Sequence, residues 1–234
     1  MNFANIILGV ILILIVYYIF KYMTVKSTLT NTNDATVKIE VNKDDLEKDE
    51  SSPASNFTYS IWFYIDDWNY RYGQPKIIFG RVNKDRDPQP SATLGATRND
   101  LTISLACYPP IGGGQGNKSV VHNCKLQNIP IQKWNHLLFS VYGKSMDVYL
   151  DGKLARTCVL PGTAKVTDSS NLYVTPAGGF SGSTAKLQYW DSATNPQQAY
   201  NIYKQGSSNL SLLDKYKVVI SMYNDGEESG SITI

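Results

Sequence analysis

KWNHLLFSVYGKSMDVYLDGKL, residues Lys133 to Leu154, contains two alternating strands set back to back between turn signals. Leu137, Phe139 and Val141 share one face of the first strand, and Met146, Val148 and Leu150 share one face of the second. Gly143-Lys144 supplies a tight connection, and Asp151-Gly152 marks the next turn. The stretch predicts a β-hairpin with one buried face.

Upstream, Phe57 to Asp66 (FTYSIWFYID) is apolar or aromatic on both faces, which predicts an interior strand covered on each side. Ile77 to Arg81 and Leu101 to Tyr108 follow as short strands. Downstream come Lys153 to Leu160, Asn171 to Val174 and Ala185 to Trp190, separated by Gly, Pro and Ser clusters at sandwich-like spacing. Pro196 to Lys204, with Pro at its start and Gly206 just beyond its end, predicts a short helix. Tyr216 to Ile234 predicts a last hairpin that turns at Asn224-Asp225-Gly226. Sixteen tyrosines and 17 glycines agree with many strands and turns and few helices.

The Trp134-x-His136 start of the hairpin and its Tyr149-x-Asp151-Gly152 end resemble the laminin-G-like, concanavalin-A-like lectin and glucanase family. The Gly-rich turn and aromatic strand between Gly178 and Gly206 extend that resemblance, which covers about residues 56–206. It implies an all-β, two-sheet antiparallel jelly-roll sandwich with the hairpin at its heart and a short helix closing one end. Fold alone assigns no activity.

At 234 residues, 42% hydrophobic and 18% charged, the chain is long enough to bury a real core. A net charge of +2 is too small to make nucleic acid a partner. Residues 1–23 contain an uncharged apolar run from Phe3 to Phe20, about 27 Å long as a helix. Tyr17, Tyr18, Lys21 and Tyr22 supply interfacial residues, and no basic residue or small-x-small site marks a cleaved leader. This predicts a single transmembrane anchor, and Lys21 and Lys26 place the rest of the chain on the cytoplasmic side. Sequons at Asn56, Asn117 and Asn209 gain meaning only if the head is lumenal. Residues 24–55, with four Lys against seven acidic residues, read as an acidic linker, with an alternating stretch at 35–42 able to form one extra strand. The head then divides into the jelly roll at 56–206 and a hairpin extension at 207–234, which is a candidate partner for the 35–42 strand.

Catalytic constellations are scarce. A retaining glycosidase needs two carboxylates about 5 to 5.5 Å apart, and the superfamily's glucanases carry Glu-x-Asp-x-x-Glu there. The head's only Glu residues are the adjacent Glu227 and Glu228, and Asp66 and Asp67 alternate to opposite faces. His122 and His136 have no nucleophile elbow nearby, so His136 reads as a sandwich residue. Gly112 to Ser119 imitates a phosphate loop, but Asn117 interrupts the Gly-Lys-Ser ending. No Cys/His spacing suggests zinc. Cys107 and Cys124 bracket the glycine loop, where a disulfide or two free thiols fit equally, and Cys158 is left over.

The family resemblance adds calcium as a low-priority ligand, with Asp66, Asp67, Asp85, Asp87 and Asp191 near loops, although Asp also favours turns for backbone reasons. It also adds glycan stacking, for which Trp68, Tyr70 and Tyr72 form the candidate ligand or partner loop. The first expectation for function is a non-enzymatic, membrane-anchored structural protein. Its architecture and composition resemble minor capsid or membrane-associated virion components of large DNA viruses that join membrane to shell. The alternative is a membrane-bound lectin-like receptor for carbohydrate, and a divergent glycosidase ranks third.

Overall fold

The computed structural model describes residues 28–46, 55–110, 118–166 and 170–207, together with the backbone of 219–224 and 227–233. The expected anchor at 3–20 lies outside the described residues, and no helix among them is long and apolar enough to cross a membrane. The strands are β1 (Asn33–Asp34), β2 (Ile39–Val41), β3 (Phe57–Asp67), β4 (Lys76–Val82), β5 (Pro88–Leu94), β6 (Leu101–Cys107) and β7 (Val120–Leu126). They continue with β8 (Trp134–Tyr142), β9 (Ser145–Leu150), β10 (Lys153–Val159), β11 (Leu172–Val174) and β12 (Ser181–Trp190). Helix α1 (Pro196–Lys204) and a last pair, β13 (Val219–Asn224) and β14 (Glu227–Thr233), complete the described elements.

Two six-stranded sheets face each other. One runs β1-β12-β3-β8-β9-β10 and the other β2-β11-β4-β5-β6-β7, with every pairing antiparallel. Alternation places Tyr59, Ile61 and Phe63 of β3, Leu137, Phe139 and Val141 of β8 and Met146 and Val148 of β9 in the core between them. Phe79 crosses from the opposite sheet to stack on Phe139, ring centroids 6.0 Å apart and planes 6° apart. The opening hairpin is therefore β8-β9, in the register its alternation demands.

The other face of β3 is covered as well. Helix α1 starts in a capping box, where Asn195 Oδ1 accepts from Gln198 N at 2.9 Å and Gln198 Oε1 accepts from Asn195 N at 3.0 Å. It buries Ala199 against Leu138 and Tyr149, and lays Tyr203 on Trp62, centroids 5.5 Å apart. Gly152 permits this approach, since at φ +72° a Cβ there would lie 2.9 Å from Tyr203 Cβ.

Four sequence expectations require correction. The extra strand expected at 35–42 is present as β2 on β11, but the residues before it belong to the sandwich as well: β1 pairs with β12, and Ala35 between the two strands is fully buried. One short passage of chain thus joins an edge of each sheet, and the sandwich begins well before residue 56. The 35–42 strand takes β11 as its partner, while β13 and β14 form a separate two-stranded sheet with each other. β5 was unread, because Pro88 and Pro90 argue against an interior strand. The irregular register between Gly80 and Val82, with Pro88 opposite Val82, accommodates the first of these prolines.

The fourth correction concerns the disulfide. Cys124 bonds to Cys158, Cα atoms 6.1 Å apart, and Cys107 is a buried free thiol. The β6-β7 hairpin exists, but Cys107 lies opposite Val120 and Cys124 lies opposite Ile103. Four residues of strand separate the two cysteines by roughly 13 Å at about 3.3 Å per residue, beyond disulfide reach. Burial pushes the Cys107 thiol up to about 11. The observed bridge joins β7, the edge of one sheet, to β10, the edge of the other. Arg156 Nη1 donates to Lys125 O at 2.7 Å across the same gap.

A close backbone approach fixes β12 on β3. Gly182 has φ +147°, and a Cβ there would fall 1.9 Å from the Tyr64 carbonyl oxygen. Gly182→Ala is expected to lower stability by more than about 1 kcal/mol, measured by urea unfolding. An unchanged midpoint would mean that the β3-β12 edge is looser than described.

Candidate functional site

At one end of the sandwich, three loops meet around a cleft of about 460 Å³. Trp68 follows the last residue of β3, Thr97, Arg98, Asn99 and Asp100 connect β5 to β6, and Gln127, Asn128 and Ile131 connect β7 to β8. The loops are tied together by their own backbone. Ile129 N donates to Asn99 O at 2.7 Å, and Asn99 Nδ2 donates to Ile129 O at 3.1 Å. Gln132 N donates to Ile65 O at 2.7 Å, and Gly95 N donates to Asp100 O at 2.8 Å. These bonds satisfy loop amides locally, with the Asn99 side-chain N–H committed to Ile129, and hold the lining side chains in place around the cleft.

Of the three aromatics expected to form a platform, only Trp68 lines the cleft. The Tyr70 hydroxyl instead donates to Gly178 O at 3.2 Å, and Tyr72 is 61% exposed and not part of the lining. An Asx turn begins this divergence: Asp67 Oδ1 accepts from Asn69 N at 2.9 Å, and Tyr72 N then donates to Asn69 O at 3.0 Å. Trp68 itself is half-buried and packs against the core, with its Nε1 buried and without a hydrogen-bond partner. Lys76 Nζ lies 4.8 Å from its ring centroid. Burial, reinforced by the positive charge of Arg71, holds the Lys76 amine below its usual range.

Arg98, Asn99, Asp100, Gln127 and Asn128 were not singled out from the sequence. Their types are those of ordinary turns, and the only signal was their place at the ends of short strands.

Ser60, His136 and Asp151 resemble a hydrolytic triad in composition but not in geometry. Ser60 Oγ and His136 Nε2 are hydrogen-bonded at 2.8 Å, yet His136 Nδ1 has no partner, and Asp151 Oδ1 accepts from the His136 backbone N at 2.9 Å. Asp151 Oδ2 accepts from Lys133 Nζ at 2.8 Å. Both Ser60 and His136 are buried, and burial drives the imidazole down to about 4, with Asp151 opposing and Lys186 adding to the shift. A triad needs the carboxylate on Nδ1 and an accessible hydroxyl; this group instead braces the hairpin beneath α1.

Of the calcium candidates, Asp66 and Asp67 close β3, Asp85 and Asp87 lie between β4 and β5, and Asp191 follows β12. Asn83 Oδ1 accepts from Asp85 N at 2.9 Å and from Asp87 N at 2.8 Å, and Ser119 Oγ donates to Asp87 Oδ2. No group of three or more His, Cys, Asp or Glu side chains fit to hold a metal occurs among the described residues.

Solved structures with the same fold include the binding domain of botulinum neurotoxin serotype D/C VPI 5993. It is 12% identical with a TM-score of 0.52, covering 74% of this chain and 43% of that one. Another is the binding domain of botulinum neurotoxin DC in complex with SialylT, 13% identical with a TM-score of 0.54, covering 72% and 39%. The chain thus spans less than half of those domains, and at this identity the likeness is one of fold. No curated protein matches the chain by sequence. The laminin-G model of the concanavalin A-like lectin/glucanases superfamily matches residues 31–199, most of the chain and all of the sandwich from β1 to the middle of α1. The protein belongs to the concanavalin A-like lectin/glucanases superfamily.

Proposed function

We propose that the sandwich is a non-catalytic carbohydrate-binding module whose ligand occupies the Trp68 cleft. The observation that carries this reading is the lining: one half-buried indole faces a ring of amide, guanidinium and carboxylate side chains in about 460 Å³. Ligand sites commonly fall between about 300 and 1,000 Å³ and combine an apolar wall with a few converging polar groups. A sugar ring offers that combination in reverse, with C–H faces for the indole and paired hydroxyls for Asn99, Asp100, Gln127 and Asn128. The superfamily and the toxin binding domains that share the fold support ligand recognition more than a purely architectural role.

The same reading includes attachment to a membrane through residues 3–20. The Cys124–Cys158 bridge favours a head that matures in an oxidising compartment, which outweighs the two lysines that argued for the cytoplasmic side. A virion component joining membrane to shell stays compatible with this architecture, and a glycan-binding head would give such a component a recognition role as well.

The test is a glycan array probed with the full chain, wild type against Trp68→Ala and Tyr72→Ala. Trp68→Ala is expected to lose at least about tenfold in affinity, the scale of a lost stacking contact together with its buried area. Tyr72→Ala is expected to stay within about twofold, because Tyr72 lies outside the cleft. Equal loss in both variants, or none in either, would move recognition away from this site.

A further inference from the structure

We propose that the cleft selects acidic oligosaccharides, and that Lys76 Nζ and Trp68 Nε1 are the donors that meet the ligand's carboxylate or sulfate. This deepens the carbohydrate reading of the cleft and rests on it.

Lys76 opens β4 opposite Leu94, at the end of the sandwich that carries the cleft. Its side chain is completely buried, its amine has no hydrogen-bond partner, and its contact is the face of the Trp68 ring. The Trp68 indole N–H beside it is likewise buried and unpartnered. Buried polar groups are nearly always hydrogen-bonded and buried charges nearly always paired, so two orphaned groups in contact mark an absent partner.

The chemistry of that partner follows from the groups. An indole N–H and an alkyl ammonium are donors without acceptor capacity, so what they lack is an acceptor. The charged neighbour that acts on Lys76 is Arg71, also a cation. Arg98 adds a guanidinium to the cleft wall, a group suited to paired oxygens of a carboxylate or sulfate. Arg98 and Trp68 thus share the cleft wall with its one carboxylate, Asp100, while the Lys76 amine lies behind the Trp68 ring and Arg71 is held outside the wall by Gln74 and Gly179. Asp100 and the amides of Asn99, Gln127 and Asn128 suit the hydroxyls of the remaining sugar.

Trp68 stands between the cleft and the amine, so rotation of its half-buried side chain is what brings both donors to the ligand. Lys76 then acts on specificity: its charge favours an anionic ligand over the neutral one of the same shape. A charge-assisted hydrogen bond between this amine and a ligand carboxylate is worth roughly tenfold or more in affinity.

The experiment titrates the full chain with uronate-, sialate- and sulfate-bearing oligosaccharides and with neutral counterparts of equal length. Wild type is compared with Lys76→Met and with Trp68→Phe, which keeps a ring and removes the N–H. Wild type is expected to bind acidic members at least about tenfold more tightly, and each variant is expected to shrink that preference. Raising sodium chloride from 50 to 300 mM is expected to weaken the acidic complexes selectively, a measurement that needs no variant. Neutral and acidic glycans bound alike, or an acidic preference that ignores both salt and Lys76→Met, would overturn this proposal while leaving the cleft reading standing. Binding to neither class would remove the cleft reading along with it.

Discussion

Cys158→Ser is expected to lower the unfolding free energy by about 3–4 kcal/mol, the chain-entropy estimate for a bridge between cysteines 34 residues apart. The location strengthens the expectation. β7 and β10 are the outermost strands of different sheets, so no ladder hydrogen bond joins them, and the disulfide and Arg156 hold that side closed. On the opposite side, the continuous chain from β1 to β2 does the same. Cys107→Ser serves as the control: it sits in the core on β6, removes a thiol and leaves the staple intact. Guanidinium unfolding and peptide mapping under non-reducing conditions read both results. A full loss of the bridge in Cys107→Ser would show that Cys107, not Cys158, is the partner of Cys124.

Acidification from pH 6.5 to 4 is expected to remove about 3 kcal/mol of stability through His136 alone. Its ring packs against both Trp62 and Tyr203, with centroids 4.9 and 5.8 Å away, and an N–H formed at its Nδ1 would have no acceptor. The folded imidazole titrates at about 4 because burial disfavours its charged form, against 6.5 in the unfolded chain. Between those values the unfolded state binds the proton and the folded state does not. Stability therefore falls as pH drops through the window, by up to about 1.4 kcal/mol per unit, and this contribution levels off below pH 4. Urea unfolding at pH 7, 5.5 and 4 measures it as the difference between wild type and His136→Gln, which cannot take up the proton. Parallel pH profiles for the two proteins would mean that His136 is solvated or paired in the folded state.

What the residues disclosed, and what they concealed, divides along range. Alternation in Leu137, Phe139, Val141, Met146 and Val148 set the central hairpin, because a strand with one buried face tolerates one register. The helix from Pro196 was legible because its initial Pro and the Gly206 just after it are local signals, and the structure adds a capping box at Asn195. Beyond a single hairpin this legibility fades. The alternation at 35–42 disclosed a strand, present as β2, but not its partner, because β11 lies more than 130 residues away. The cysteines were mismatched because bracketing a loop does not make two residues directly opposite, and register decides reach.

The cleft follows the same division. Trp68 drew notice because an aromatic in a loop is unusual, and its sequence neighbours Tyr70 and Tyr72 seemed to belong with it. Spatial neighbours count instead: Arg98 and Asn128 come from loops about 30 residues apart, brought together by the Asn99–Ile129 bonds. Lys76 was invisible for a further reason, since a lysine at a strand start is ordinarily solvated and only packing reveals that this one is buried.

The most direct measurement is a backbone amide NMR titration of the isotope-labelled full chain with the tightest acidic oligosaccharide from the array. The account predicts saturable shift changes concentrated in Trp68, Thr97 to Asp100 and Gln127 to Ile131, with the Trp68 indole N–H moving most. Shifts confined to the strands β5, β6 and β7 away from their loops, at Ser91, Ser104 and Asn123, or to no coherent region, would contradict it.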